Sequence, residues 1–164
     1  MDAAPVLHAF QRERILEVWQ EAVPLMQKHW EEIAKYKDIP LDPDPVIYAA
    51  AESSGFLRCF TVRDPGGKLV GYAVYMVRHA PHYRGSLQAI EDVIFLDPSV
   101  RGKMVGIRFI DWCDRQLRGE GVQVTYHHVK KDHAALGRIL EHLGYELSDL
   151  VYARRLDHGR SSDR

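Results

Sequence analysis

The stretch Ile90-Glu91-Asp92-Val93-Ile94-Phe95-Leu96-Asp97-Pro98-Ser99-Val100-Arg101-Gly102-Lys103-Met104-Val105-Gly106 decides the reading of this chain. Its first half is β-branched and aromatic, which reads as a strand over about Leu87 to Leu96. Asp97-Pro98 stops the strand and Arg101-Gly102 makes a tight turn. From about Lys103 to Arg118, Val105, Phe109, Trp112 or Cys113, and Leu117 recur at helical spacing. A strand that enters a helix through such a turn is a seat for an anion. The first helical N–H groups have no internal partners and the helix dipole is positive there. Gly102 lets the backbone approach a ligand closely, and Arg101 or Lys103 adds charge. Many strand–helix junctions use Arg-Gly only to turn, so these residues alone leave both uses open.

Upstream of this stretch the pattern is first helical, then extended. Ile15, Val18, Trp19, Val23, Leu25 and Met26 recur at helical spacing, and Pro24 is expected to kink the helix or begin a second one running toward Ala34. Asp44 can cap a short helix with Pro45 at its first position, ending near Gly55. Phe56 to Val62 and Leu69 to Val77 read as strands joined by the turn Asp64-Pro65-Gly66-Gly67. The polar run from His79 to Gly85 reads as a break. Downstream, a strand at Val122 to Val129, a helix at about His133 to Leu143 and a last strand at Tyr145 to Arg154 complete the order. The layout is α/β or α+β, with one domain and a mixed sheet over residues 1–156. The polar tail 157–164 is expected to be disordered.

Composition narrows the class. The 164 residues suit one domain, and 46% apolar with 27% charged is an ordinary globular balance. The formal charge of −1 argues against a partner held mainly through phosphates, so a nucleic acid is not expected. The start, Met1-Asp2-Ala3-Ala4-Pro5, lacks a basic, then apolar, secretory pattern, and no apolar run approaches the roughly 20 residues of a membrane span. Cys59 and Cys113 read as two buried free thiols. The expectation is a cytoplasmic protein with no membrane partner.

The order and spacing around Arg101 resemble the acetyl-CoA-binding motif of the GNAT N-acetyltransferase superfamily, a hydrophobic strand and Pro followed by Arg/Gln-x-x-Gly-x-Gly/Ala. Met104 stands where the family's first glycine usually sits. The likeness continues through Val122-Gln123-Val124-Thr125-Tyr126-His127-His128-Val129, then Asp132-His133-Ala134-Ala135 and Ile139-Leu140-Glu141-His142-Leu143-Gly144-Tyr145, and spans about residues 56–155. The chain also resembles compact stand-alone members carried by phages and prophages. The resemblance implies a twisted mixed sheet with central splayed parallel strands flanked by helices. It implies acetyl-CoA as acyl donor, a primary amine of a small molecule or protein as acceptor, and leaves a homodimer open.

The resemblance assigns the cofactor to Phe95, Leu96, Arg101, Gly102, Lys103, Met104, Val105 and Gly106, with its pantetheine arm between the strands after Asp92 and before Val129. Two jobs then fall to the protein: a base for the ammonium and a donor to the leaving thiolate. Asp92, four residues before Leu96, matches the position of a family glutamate. Glu91 is its neighbour on the other face, and alternation lets only one of them face the acceptor. The family tyrosine position is Leu140, which cannot donate. Tyr145, Tyr152, Tyr126 and Tyr83 are the other hydroxyls, with Tyr126 best placed on the strand lining the splay.

The histidines supply further candidates. His127 and His128 point to opposite faces of their strand, and one imidazole there can relay the amine proton. His29, Glu32 and Tyr48, on helices that often line the acceptor mouth in this fold, and Tyr83 with His79 and His82 are substrate-side candidates. No ligand spacing typical of a metal site occurs, so none is expected. Lys130-Lys131 reads as a solvated strand end or as a reach toward a CoA phosphate. The departures at Met104 and Leu140 support a second reading, a GNAT-like CoA- or protein-binding module with weak or no catalysis.

Overall fold

Asp64 begins the turn that organises the sheet. Its side chain accepts from the Lys68 N–H at 2.9 Å and its carbonyl accepts from Gly67 N–H at 2.9 Å, with Gly67 at φ +84. Only a residue without a side chain takes that φ cheaply. The turn joins strands β2 (Leu57–Arg63) and β3 (Leu69–Ala80), which pair antiparallel. The computed structural model describes residues 7–102 and 104–157. Lys103 and the tail residues 158–164 named above lie outside the described residues.

The sheet has five strands in the order β1 (Ala9–Arg12), β2, β3, β4 (Tyr83–Leu96) and β5 (Val124–Tyr126). All neighbours are antiparallel except β4 and β5, so the sheet is mixed as expected. Helices α1 (Ile15–Ile33) and α2 (Pro45–Ser53) precede β2, α3 (Val105–Gly119) links β4 to β5, and α4 (Ala134–His142) follows β5. Asp44 caps α2 as its sequence position promised, accepting from Val46 N–H at 2.8 Å.

Strand alternation divides the core into two layers. Leu57, Cys59, Tyr72, Val74 and Phe95 face α1, whose buried stripe is Ile15, Val18, Trp19, Ala22, Leu25 and Met26. Phe60, Val62, Tyr75, Val77 and Ala89 face the other way, onto Val105, Phe109, Cys113 and Leu117 of α3. Cys59 and Cys113 fall one in each layer and both are buried free thiols.

Four expectations change. First, of the two outcomes open at Pro24 the second helix does not begin there: α1 runs through the proline as one helix, with apolar residues on both sides of it packed on the same layer. Second, the polar break at His79–Gly85 is the end of a long hairpin. Ala80 pairs with Tyr83, and the ladder continues through the polar residues because both backbones satisfy each other. Third, β1 carries no strong strand signal, yet it pairs along β2 at the sheet edge. Fourth, Tyr145 to Arg154 forms no strand. Tyr145 is held by its N–H to the Leu140 carbonyl at 3.0 Å and its hydroxyl to Asp114 at 2.7 Å, and Leu147, Leu150, Val151 and Tyr152 are exposed. Strand propensity needs a ladder partner to express itself, and the three-residue β5 supplies none to this segment. Among the described residues no helix is long and apolar enough to cross a membrane.

Candidate active site

β4 carries the candidate acids, and its ladder changes partway along. On the β3 side, Val74 pairs with Val93 but Tyr75 pairs with Glu91, so Asp92 is the extra residue of a bulge. Ala89, before the bulge, faces α3, whereas Phe95, after it, faces α1. Alternation puts the two adjacent acids on different sides, and the bulge at Asp92 reverses the faces of the residues that follow it. Asp92 is exposed and accepts from the Tyr48 hydroxyl of α2 at 2.8 Å. Glu91 is 5% exposed and shares the layer of Tyr75.

On the β5 side, pairing runs over Gln88↔Val124, Ala89↔Thr125 and Ile90↔Tyr126, and then stops. β4 continues to Leu96 with no further β5 partner among the described residues. The two parallel strands thus splay at Glu91 and Asp92 on one side and His127 and His128 on the other. Beyond the pairing, the His128 N–H donates to Glu91 Oε2 at 3.3 Å.

His127 and His128 divide as alternation requires. The His127 side chain is 1% exposed and its ring lies edge-on between Tyr75 and Tyr145, with centroids 5.6 and 5.2 Å away. Its Nε2 is 3.4 Å from the Tyr75 hydroxyl, and its Nδ1 has no hydrogen-bond partner and lies 3.8 Å from Glu91 Oε2. Burial holds this imidazole neutral by lowering its pKa to about 4, with the neighbouring His128 adding to the effect. Burial raises the Glu91 pKa to about 7, opposed by the His128 N–H. His128 itself is exposed.

At the far end of the motif the turn has a different character from the one the sequence suggested. The Arg101 guanidinium donates to both carboxylate oxygens of Glu32 at 2.9 and 2.8 Å and from Nε to the Leu96 carbonyl at 2.8 Å, and it lies over the Phe95 ring. His29 also packs against the Phe95 ring, tilted with centroids 5.0 Å apart, and burial lowers its pKa to about 4. Lys28 pairs with Asp97 at 2.6 Å, which helps hold the Asp97 pKa at about 2. The C-terminal half of α1 is therefore fastened to the anion turn. His29 and Glu32 belong to that turn.

Other candidates sort by position. Met104 occupies left-handed space at φ 62, the conformation glycine takes without cost, and it leads into α3 without a side-chain cap. Gly102 is also left-handed, at φ +80, with nothing within 4 Å of an added Cβ. Gly106 packs near Leu96 and Ile139. Tyr126 is half-buried at the last paired position of β5. Leu140 is buried, and Tyr145 gives its hydroxyl to Asp114. Tyr83 and His82 sit at the hairpin end and His79 pairs opposite Leu87, so these three are not brought to the splay. Nine residues of strand, about 30 Å at the usual rise, separate Tyr83 from Asp92. Lys130 and Lys131 are exposed. No group of three His, Cys, Asp or Glu side chains among the described residues is arranged to hold a metal ion.

Two features were not legible as site features: the bulge at Asp92 and the Tyr48–Asp92 hydrogen bond. The adjacent acids in an otherwise apolar strand were the available signal, but a bulge has no spacing of its own.

In fold, the chain matches solved acetyltransferases. The chain is similar to the ribosomal-protein-alanine N-acetyltransferase of Brucella melitensis biovar Abortus 2308, with a TM-score of 0.71 at 16% identity, covering 92% of this chain and 99% of that one. It is similar to an aminoglycoside acetyltransferase from an uncultured soil metagenomic sample, with a TM-score of 0.74 at 13% identity over 92% and 97% of the two chains. A predicted acetyltransferase with acetyl-CoA from Clostridium acetobutylicum superposes with a TM-score of 0.69 at 9% identity, again over 92% and 97%. No family model matches the sequence, and no curated protein matches it.

Proposed function

We propose that the protein is an acetyl-CoA-dependent N-acetyltransferase acting on a primary amine of a small molecule or of a protein. The observation that carries this reading is the splay. Parallel pairing ends at Ile90 and Tyr126, and β4 continues alone to a turn at the start of α3. An unpaired strand edge offers peptide groups to an amide-bearing arm, and the uncapped first turn of α3 offers N–H groups to phosphate. These features fit acetyl-CoA, which would supply the thioester whose acyl group is transferred. Phe95, Leu96, Gly102, Met104, Val105 and Gly106 line the strand end and turn that would hold it. Arg101 joins them once Glu32 releases it.

In this reading Asp92 receives the proton of the acceptor ammonium. It faces outward beside α2, and the Tyr48 hydroxyl fixes its orientation. Tyr126 donates to the sulfur side of the gap. It stands at the last paired position, whereas Leu140 has no hydroxyl, Tyr145 is committed to Asp114 and Tyr83 is remote. His128, exposed beside the gap, passes protons to solvent. The cytoplasmic location and the kinship with phage and prophage enzymes stay with this proposal as expectations of the sequence.

The test is thermal: saturating acetyl-CoA raises the melting temperature, and a panel of primary amines then yields free CoA thiol. Absence of any thermal shift overturns the cofactor assignment. The bidentate Arg101–Glu32 pair favours a second reading, a binding module in which the turn is closed by the protein's own acid. Binding of acetyl-CoA without turnover on any amine supports that module.

A further inference from the structure

The mechanism above leaves one buried group unused. Glu91 is an acid in an apolar layer, five per cent exposed, and it stands where the strands part. A carboxyl in such a place is retained against a large desolvation cost, so its contacts carry its reason. They are two, both to the residues that follow β5. Oε2 accepts the His128 N–H at 3.3 Å, and the same oxygen is 3.8 Å from His127 Nδ1. That N–H lies two residues past the Ile90↔Tyr126 pairing, and because the Gln123 N–H is the one that donates to the Leu87 carbonyl of β4, alternation turns the His128 N–H out of the ladder direction. Nδ1 is buried and has no other partner.

We propose that Glu91 is the positioning residue of the splay, holding the His128 N–H, which the ladder does not serve, with its own side chain and bridging to the His127 imidazole. The fit is best for the neutral acid. In the tautomer that carries the proton on Nε2, that N–H donates to the Tyr75 hydroxyl and Nδ1 is left as an acceptor facing Glu91, and the following balance holds for this tautomer. A protonated Glu91 accepts from the His128 N–H and, after a sub-ångström shift, donates its O–H to Nδ1. Loss of the proton leaves one hydrogen bond, two acceptor groups facing each other, and a buried charge. The end of β5 is therefore held twice at low pH and once at high pH.

The groups around Glu91 are consistent with a change near neutrality. Asp92 on its own strand disfavours the charged form and Lys130 beyond β5 favours it. The remaining ionisable neighbours of this layer are neutral: His127 through burial, and Tyr75, Tyr145 and Cys113 with pKa values raised by burial. Asp114 is engaged by the Tyr145 hydroxyl. His128 is exposed and contributes its backbone N–H.

The positioning role rests on the contacts of the Glu91 side chain, whereas its effect on the cofactor rests on the acyltransferase reading. Two measurements separate them. In 15N NMR, the His128 amide of the wild type shifts with pH, with a midpoint near 7, and the Glu91→Gln variant shows no such transition. In calorimetry, acetyl-CoA binding weakens about fivefold between pH 6 and pH 8 in the wild type relative to Glu91→Gln, the size of one hydrogen bond. The glutamine mimics the neutral acid, accepting from His128 and donating to Nδ1, so it also serves as the control for ionisation of the cofactor itself. A wild type that binds no acetyl-CoA but keeps the amide transition overturns the function and supports the positioning role. An amide transition that persists in Glu91→Gln, or pH profiles of binding that coincide in the two proteins, overturns the positioning role.

Discussion

Glu91 and Asp92 are neighbours in sequence and carry the same functional group, yet they live in different solvents. Asp92 is exposed, beside α2, with a tyrosine hydroxyl donating to it. Glu91 is buried beside Tyr75 and an imidazole, and its pKa rises to about 7. Strand alternation separates them, and Asp92 is itself the extra residue of the bulge. Environment rather than residue type therefore sets what each can do: in the roles proposed above, the open acid exchanges protons with a substrate and the closed one organises backbone.

The largest expected effect tests that division directly. If Asp92 is the base, Asp92→Asn lowers kcat on a responsive amine by about 10²–10⁴-fold and leaves acetyl-CoA affinity unchanged. Glu91→Gln, assayed at pH 6, keeps kcat within a few-fold of wild type. A larger loss from Glu91→Gln than from Asp92→Asn inverts the comparison.

Stability against pH is the next effect. The folded protein retains a proton on Glu91 that the unfolded chain releases, because the pKa rises from 4.5 to about 7. Its stabilising contribution is complete below pH 4.5 and is lost as the pH rises through about 7. That gap corresponds to about 3 kcal/mol at about 1.4 kcal/mol per pH unit. Denaturant midpoints at pH 5 and pH 8 read it as the difference between wild type and Glu91→Gln. The histidines act in the opposite sense. His29 and His127, held near pKa 4, add stability that is lost as the pH falls from 6.5 toward 4, and this contribution is common to both proteins. Equal pH dependence in the two proteins removes Glu91 as the source.

A smaller effect is expected from Tyr48→Phe, which removes the one donor given to Asp92 and lowers kcat/KM about fivefold, or about 1 kcal/mol. No change would show that the open acid needs no support. The smallest effect lies at the other end of the motif. Met104→Gly relieves a left-handed non-glycine residue and raises the melting temperature by an amount worth about 1 kcal/mol or less. A fall in melting temperature would show that the methionine side chain contributes more than its backbone costs.

How much of this was legible depends on the range of the interaction responsible. Helix α3, the hairpin at Asp64–Gly67 and the Asp44 cap follow from spacing and turn chemistry, which act over a few residues. The candidate acids and the turn at Arg101 were legible for the same reason. The pairing of Arg101 with Glu32 was not, because 69 residues separate the partners and only the packing of α1 brings them together. The exposed run after Tyr145 has strand-like residues, but strand formation depends on a neighbour that propensity does not describe.

By itself, the sequence determined the order of the elements from α1 to α4 and the presence of two adjacent acids before a glycine turn. Those are local matters of periodicity, capping and turn geometry. Only the tertiary structure decided which acid is open and which is closed, where the parallel strands part, and that the turn's arginine is held by α1. Each of these depends on ladder register and long-range packing, and a shift of one residue in register reverses the face on which a side chain lies.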